Sequence, residues 1–284
     1  MRLRYLPKQR GGRLPHVATF TQVCDARIRA DAEWMMEETL QAYDEAVEET
    51  FGFVGLASLK ETPCVIKIME WGAMADKEIH AQQWFRSHPY RHIVQGICHF
   101  NCKDSVLRWT SRLPAPQAFC VSGDTTMRII VQEYIQGGDL NQQRIWTLPL
   151  WRSIVLQLTF VCFEFYEMGF QYGDWNFGNI LIDATTETHH LYQMFGKTKR
   201  IPTEGICPML TDFARSVFFP DSERSLTLLV DTIGIVWGLL RLKCPDNELK
   251  QWLNEQSVRI GHCTSKTAIQ KTVNAVQTHL NQVN

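Results

Sequence analysis

Tyr172-Gly-Asp-Trp-Asn-Phe-Gly-Asn-Ile-Leu181 is the stretch of sequence that decides the fold. It follows the long apolar segment Leu148 to Met168, which predicts a buried helix, and it leads into a short apolar strand. Within the stretch, Asp174 stands five residues before Asn179. Phosphoryl transfer needs a carboxylate that orients the attacking hydroxyl and a nearby amide oxygen that holds Mg²⁺. This spacing provides both groups, and a turn rich in Asn and Gly is the alternative interpretation.

Three further segments carry related chemistry, in a fixed order around this loop. Before it, Val65-Ile66-Lys67 places a lysine at the end of an apolar strand, and a second apolar strand runs into Gly137-Gly138. After it, Met209 to Asp212 places a carboxylate at the end of another apolar strand, where a hard oxygen ligand for Mg²⁺ would stand. Each segment alone has an ordinary structural explanation, so the function is indicated by their order.

The four segments, taken together and in this order, resemble the protein-kinase-like superfamily. Lys67 matches the lysine of the V-A-I-K motif, and Glu78 in the following helix matches its glutamate partner. The resemblance implies that both are catalytic residues, with Lys67 holding the α- and β-phosphates of ATP. It further implies that Asp174 is the catalytic base and that Asn179 and Asp212 are the Mg²⁺ ligands.

The same resemblance assigns a nucleotide site. Its hinge segment would run from Ile130 to Leu140, with Gln132 as the gatekeeper residue. Its glycine-rich loop would end at Thr50-Phe-Gly-Phe-Val54. The cofactor-binding residues that it implies are Lys67, Gly52, Val54, Val65, Gln132, Glu133 and Ile135.

The resemblance implies an α+β, bilobal protein-kinase-like fold in which residues 1–284 form a single kinase-like domain. A small antiparallel β N-lobe would reach about residue 134, and a hinge would cover about 133–138. A mainly helical C-lobe would occupy about 139–284.

The composition near the start of the chain gives a separate, local prediction. Residues 29–50 are acidic and contain no Gly or Pro, which predicts a helix.

The kinase pattern is incomplete. Val47 and Glu49 occupy the first two glycine positions of the predicted loop, and a carboxylate near phosphate is unfavourable. Asn176 replaces the lysine that normally neutralises the transferred phosphate, which should slow the chemistry. Only 19 positions separate Asp212 from Asp231, which matches the helix aspartate that ties down the catalytic loop. The substrate platform is therefore expected to be truncated or rebuilt.

These matches and departures predict an ATP-dependent phosphotransferase with ATP and Mg²⁺ as cofactors. The expected function is that of a Ser/Thr protein kinase, which transfers the γ-phosphoryl group to a protein hydroxyl. The chain resembles haspin-type and large-DNA-virus kinases. Two alternatives remain. One is a small-molecule kinase similar to aminoglycoside phosphotransferases, suggested by Tyr172-Gly-Asp174 and the short segment after Asp212. The other is a pseudokinase that acts as a binding module.

A hairpin-like stretch, Gly196-Lys-Thr-Lys-Arg-Ile-Pro-Thr-Glu-Gly205, lies between the two predicted Mg²⁺ ligands. It resembles an insertion in kinase-like proteins of large DNA viruses, which suggests a viral source. Lys197, Lys199 and Arg200 could contact an acidic substrate, but a solvated hairpin tip is the favoured interpretation.

The composition sets wide limits on function. With 284 residues, 45% of them hydrophobic, and a net charge of -1, the chain can bury a sizeable core and lacks the basic surplus of a general nucleic-acid binder. The apolar segments Ile154–Phe170 and Leu226–Leu240 are short for a membrane span and are expected to be buried helices. Nine scattered cysteines favour a reducing, cytoplasmic compartment, within a host cell or virion if the source is viral. We expect a protein substrate as the partner, and neither nucleic acid nor membrane.

Overall fold

The chain divides after Ile135 into two units. The computed structural model describes residues 33–42, 52–59, 62–70, 72–101, 106–109, 127–143 and 146–282. Within them, the first unit contains the residues up to Ile135 together with Phe213–Arg215, and the second contains Gln136–Asp212 and the residues from Ser216 onward. The fold is α+β, and the boundary after Ile135 falls inside the segment predicted as the hinge.

The first unit is built on a six-stranded sheet. Its strands are β1 (Glu33–Ala42), β2 (Gly52–Leu59), β3 (Thr62–Glu70), β4 (Gly96–Asn101), β5 (Val106–Trp109) and β6 (Met127–Glu133). Helix α1 (Ala73–Ser87) connects β3 to β4. The strands lie in the order β4-β6-β3-β2-β1-β5, and all neighbours are antiparallel except β1 and β5, which are parallel. The predicted antiparallel sheet is thus extended by one parallel edge strand.

The helix predicted over residues 29–50 is wrong over Glu33–Ala42, and the remainder of that range lies outside the described residues. Residues Glu33–Ala42 form strand β1, which pairs with β2 along one edge and with β5 along the other. A strand between two neighbours has hydrogen-bond partners for its backbone on both sides. This tertiary pairing outweighs the helix propensity of an acidic, Ala- and Glu-containing sequence.

The second unit consists of helices and three two-stranded antiparallel ribbons within the described residues. Its helices are α2 (Leu148–Met168), α3 (Leu226–Leu240), α4 (Asn247–Gly261) and α5 (Lys266–Gln282). Its strands are β7 (Phe170–Gln171), β8 (Ile180–Ala184), β9 (His189–Met194), β10 (Lys197–Pro202), β11 (Ile206–Leu210) and β12 (Val217–Phe218). β8 pairs with β11, β9 with β10, and β7 with β12.

Helix α2 forms the core of the second unit. Thr147 caps its N-terminus by accepting a hydrogen bond from Leu150 N–H, and Gly169 ends it in the left-handed conformation, with φ 68°. The indole N–H of Trp237 on α3 donates to Thr159 Oγ1 of α2 over 2.8 Å. Among the described residues α2 is the one helix long and apolar enough to cross a membrane, and 72% of its most apolar window is buried inside the protein. The prediction that this segment and α3 are core helices is confirmed.

Candidate active site

Lys67 and Glu78 form a buried ion pair in the first unit. Lys67 stands on β3 and Glu78 on α1, and Lys67 Nζ lies 3.8 Å from Glu78 Oε2. Glu78 is 0% exposed and Lys67 is 5% exposed. Because a buried charge is costly unless a partner compensates it, this pair is a strongly constrained element of the unit. The two residues were predicted from separate motifs, and the structure brings them together.

Three N–H donors besides Lys67 surround the Glu78 carboxylate. Gln82, one helical turn further along α1, donates from Nε2 to Glu78 Oε1 over 2.8 Å, and Gln132 on β6 donates to the same oxygen over 3.1 Å. The backbone N–H of Phe213 donates to Glu78 Oε2. Hydrogen bonds to a charged group are among the stronger ones in proteins. The buried carboxylate is therefore compensated by neutral donors as well as by the lysine.

Gly96 leaves the space that Gln82 fills. A Cβ atom on Gly96 would lie 2.2 Å from Gln82 Oε1 and 2.8 Å from Gln82 Cβ. Arg86, on the same helix, donates from Nη2 to the Gly96 carbonyl oxygen over 3.1 Å. The start of β4 is thus packed directly against α1, and this contact holds Gln82 where it can reach Glu78.

The predicted nucleotide residues of β2, β3 and β6 share one face of the sheet. Val54 is directly opposite Lys67, and Val65 is directly opposite Gln132, in ladders without a bulge. Opposed residues lie on the same face, and so do residues two apart on a strand. Val65 and Lys67 are two apart on β3, and Gly52 is two residues before Val54, so all five positions belong to this face.

Glu133 and Gln95 lock the end of β6 within the first unit. The Glu133 N–H donates to the Gln95 carbonyl oxygen over 3.0 Å, and Glu133 Oε1 accepts from the Gln95 N–H over 2.8 Å. Glu133 and the nearby Ile135 are both buried. Because the Glu133 side chain is bound to Gln95, a contact between Glu133 and adenine would come from its backbone.

The loop from Asp174 to Asn179 lies in the second unit and is closed by amide hydrogen bonds. Asn179 Nδ2 donates to Asp174 Oδ2 over 2.9 Å and to the Asp174 carbonyl oxygen over 3.2 Å. Both residues are only half-buried. The Asp174 carboxylate is thus held in place by Asn179 in a residue that keeps part of its surface exposed.

Asn176 shapes this loop. Its Oδ1 accepts from the Asn179 N–H over 3.1 Å, and its Nδ2 donates to the Asp174 carbonyl oxygen over 3.2 Å. The first of these bonds caps the short 3-10 turn Phe177–Asn179. A lysine side chain offers no acceptor and could not make that bond. The departure from the kinase pattern at position 176 is therefore part of how this loop folds.

Asp212 follows β11 and is held close to the loop through the β8–β11 ribbon. The Thr211 N–H donates to the Asn179 carbonyl oxygen over 3.1 Å, and the Tyr172 hydroxyl donates to the Thr211 carbonyl oxygen over 2.5 Å. Because β8 and β11 are antiparallel, Asn179 before β8 and Asp212 after β11 stand at the same end of the ribbon. Asp212 has φ 63°, in the left-handed region, and such strained residues concentrate at functional sites.

Asp231 does not have the role that the kinase resemblance implied. It is exposed on α3, and its side chain makes no hydrogen bond within the described residues. The prediction that it ties down the catalytic loop is wrong, since Asn176 and Tyr172 hold the loop instead. The chain after Asp212 is short, because β12 at Val217–Phe218 already returns to pair with β7.

Three groups that contact Glu78 or the loop from Asp174 to Asn179 were not identified from the sequence. Gln82 lies four residues after Glu78 on a helix, a spacing at which side chains meet, and could have been found by that signal. The Phe213 N–H is a backbone group, and no side-chain pattern marks it. Lys243 has its Nζ 5.1 Å from the centre of the Phe177 ring, so it brings a positive charge against the loop. The glycine-loop positions Val47 and Glu49 lie outside the described residues.

The sequence matches no protein-family model, and a search of curated proteins finds no match either. The assignment of a function therefore depends on the geometry within each unit and on the chemistry of the residues found there.

Proposed function

We propose that the protein is an ATP-dependent phosphotransferase with a bilobal kinase-like fold, and that it acts as a Ser/Thr protein kinase. The observation that carries this proposal is the buried Lys67–Glu78 pair on a sheet face that also holds Val54, Val65 and Gln132. A lysine on the third strand, paired with a glutamate on the helix that follows, is the arrangement with which kinases hold the phosphates of ATP.

In this proposal each unit has its own task. Lys67 contacts the α- and β-phosphates, and Glu78 orients Lys67. Asn179 and Asp212 offer an amide and a carboxylate oxygen at one end of the β8–β11 ribbon, which suits Mg²⁺. Mg²⁺ would neutralise charge on the nucleotide phosphates when bound.

Asp174 accepts the proton in the transfer step. The oxygen of the substrate hydroxyl forms a bond to the γ-phosphorus, the bond between that phosphorus and the β–γ bridging oxygen breaks, and ADP leaves. The hydroxyl proton passes to the Asp174 carboxylate, which Asn179 Nδ2 holds in position over 2.9 Å. The partial exposure of Asp174 permits this contact.

A small-molecule kinase is the second candidate, and one observation favours it. Only residues 213–216 separate Asp212 from β12, and a further seven residues separate β12 from α3. So short a segment offers little chain on which a peptide could lie. A small acceptor such as an aminoglycoside or a sugar needs less of it.

Nucleotide binding and transfer test the proposal in sequence. We expect Mg²⁺-ATP to raise the melting temperature of the full chain, and we expect EDTA to remove that shift. With [γ-³²P]ATP, Asp174→Asn should lower kcat by roughly 10²–10⁴-fold, the usual range for loss of a general base. Asp231→Asn is the matched control, since it removes an exposed carboxylate of the same unit, and it should leave kcat unchanged.

The outcomes separate the candidates. Transfer to Ser/Thr peptides but not to aminoglycosides or sugars supports the protein kinase, and the reverse supports the small-molecule kinase. A nucleotide-dependent thermal shift without any transfer identifies a pseudokinase. Absence of a thermal shift with Mg²⁺-ATP overturns both the protein kinase and the small-molecule kinase.

A further inference from the structure

Lys243 stands in a short turn of the second unit, directly after α3. The helix ends at Leu240, and the 3-10 turn Arg241–Lys243 follows it. Both ends of the turn are tied by hydrogen bonds. The Leu240 carbonyl oxygen accepts from the indole N–H of Trp151 on α2 over 2.9 Å, and the Arg241 carbonyl oxygen accepts from the Cys244 N–H over 3.2 Å. The backbone at Lys243 is therefore positioned by the core of the unit.

The side chain of Lys243 reaches the loop that carries Asp174. Its Nζ lies 5.1 Å from the centre of the Phe177 ring. Phe177 is itself held in place, because its carbonyl oxygen accepts from the Leu140 N–H over 3.1 Å. Three residues of chain span at most about 11 Å, so the Cα atoms of Phe177 and Asp174 lie within that distance. The ammonium group thus contacts the loop close to the proposed base.

The charge of Lys243 is not neutralised by a carboxylate. Within the described residues it forms no ion pair, and residues 175–179 contain no Asp or Glu. Asp246 follows three positions later, but its Oδ1 accepts from the Leu249 N–H over 2.8 Å as the N-cap of α4. An aromatic ring attracts a cation but carries no net charge. The half-buried Lys243 therefore keeps its positive charge for another partner.

The loop supplies no cation of its own, since residues 174–179 contain no Lys or Arg. Asn176, at the position of the kinase lysine, is bound to the backbone at Asp174 and Asn179. A Cβ on Gly178 would lie 3.2 Å from Asn176 Oδ1 and 3.4 Å from Asn141 Nδ2, so neutral amides adjoin that part of the loop. Lys243 brings positive charge to this loop from a separate element.

Two partners are conceivable for this ammonium group, the transferred phosphoryl group and an anionic group of the acceptor. In the proposed function the transferred group lies beside Asp174, which meets the acceptor hydroxyl. Lys243 contacts the loop at Phe177 instead. An extended peptide advances about 7–10 Å over two or three residues, which matches the length of loop between these two positions. The geometry therefore favours a second group on the acceptor.

We propose that Lys243 binds a carboxylate side chain of the protein substrate, about two or three residues from the acceptor Ser or Thr. This inference deepens the proposed function and rests on it. Opposite charges select a partner and like charges reject one. Lys243 thus favours an acidic peptide and disfavours a polycationic acceptor such as an aminoglycoside.

Two peptides with the same acceptor serine provide the test, one with Glu at the second and third positions on each side and one with Gln there. In the full chain, Lys243→Gln should raise KM for the acidic peptide about fivefold and leave kcat unchanged, as expected for the loss of one partly exposed charge contact. KM for the neutral peptide should not change. Lys243→Arg keeps the positive charge and should keep the preference for the acidic peptide.

Lys266→Gln is the matched control, because Lys266 Nζ also lies over a ring, 5.2 Å from the centre of Phe195. Phe195 packs against Phe163 of α2, with 5.3 Å between the ring centres. At about 1.5 Å of rise per residue, Phe163 lies roughly 18 Å along α2 from Trp151, the contact of the turn that carries Lys243. The control removes the same charge and the same kind of ring contact elsewhere in the unit, and KM for both peptides should stay unchanged.

Fluorescence anisotropy of the labelled acidic peptide without ATP gives a readout independent of catalysis. If Lys243→Gln weakens this binding about fivefold and Lys266→Gln does not, the carboxylate site stands even if no phosphoryl transfer occurs and the proposed function falls. Equal binding of the acidic peptide to the wild-type protein and Lys243→Gln, or no binding to either, overturns the site.

Two further results overturn the proposal. The first is an equal loss in the Lys266→Gln control, which would show a general charge effect. The second is a lower kcat for both peptides in Lys243→Gln with KM unchanged, which would assign Lys243 to the transferred phosphoryl group instead.

Discussion

Glu78 in the first unit and Asp174 in the second are both held carboxylates, but they are held in different ways. Glu78 is fully buried and receives hydrogen bonds from two glutamine side chains and a backbone N–H, besides its contact with Lys67. Asp174 is half-buried, and the amide of Asn179 holds it. A buried charge must be compensated by the protein itself, whereas a partly exposed one can be completed by water or substrate. In the proposed function this difference fits Glu78 as a group that positions Lys67 and Asp174 as the group that meets the substrate.

Removal of Glu78 should lower the free energy of unfolding more than any other substitution described below. Glu78→Ala leaves Lys67 buried without its carboxylate partner, so we expect the free energy of unfolding of the first unit to fall by about 3–5 kcal/mol. Urea unfolding, followed by circular dichroism, measures the change. Lys77→Ala on the same helix is the control, since Lys77 is exposed, and it should change the stability by less than about 0.5 kcal/mol. A Glu78→Ala protein as stable as the control would contradict the buried pair.

Gly96→Ala should act on the same carboxylate through Gln82. The added Cβ would meet Gln82 Oε1 at 2.2 Å, so Gln82 must leave Glu78 or β4 must move. We expect a loss of about 1–3 kcal/mol in the free energy of unfolding, as for other overpacked sites. Gly72→Ala is the matched control, because a Cβ at Gly72 would meet no atom within 4 Å.

A double variant separates the clash from other effects of the alanine. Gln82→Ala alone should destabilise the protein, because it removes a donor to Glu78. Gly96→Ala added to Gln82→Ala should then cost less than Gly96→Ala costs in the wild-type protein. If the two changes are simply additive, the contact between Gly96 and Gln82 has no energetic role.

Asn176→Ala should have the smallest effect on stability and should act on the other carboxylate. It removes the cap of the 3-10 turn and the bond to the Asp174 carbonyl, so we expect a loss of about 1 kcal/mol, as for helix caps. Asn176→Asp keeps an acceptor for the Asn179 N–H and should recover most of the loss in thermal unfolding. Asn176→Lys restores the kinase residue but not the cap. A variant with lysine that is as stable as the wild type would contradict the structural role of Asn176.

The sequence allowed prediction of residues whose partners follow from motif order or from strand alternation. Lys67 and Glu78 were paired through the motif order, and Asp174 and Asn179 through their spacing. The contact of Gln132 with Glu78 joins residues 54 positions apart, and it depends on how β6 lies beside β3, which no local pattern reports. Strand β1 was likewise mistaken for a helix, because the neighbouring strands β2 and β5 decide its conformation and no local pattern reports them.

Asp231 and Asn176 show the limit of reasoning from a family pattern. Asp231 occupies the expected place in the chain, but the helix α3 turns it towards solvent. Asn176 looked like a lost catalytic lysine, although its side chain closes the loop on which Asp174 stands. A pattern identifies which positions correspond, and the contacts of each side chain determine what those positions do.

The neutral donors around Glu78 have a consequence for the proposed contact between Lys67 and a phosphate. If Lys67 were the sole partner of Glu78, its movement to a phosphate would leave a buried carboxylate without a partner. The contact with phosphate would then have to offset the full desolvation cost of that carboxylate. With Gln82, Gln132 and the Phe213 N–H in place, the Glu78 carboxylate would keep three hydrogen bonds if the ammonium group of Lys67 turned towards an incoming anion. In the proposed function, a phosphate could then be bound and released without opening the core around Glu78.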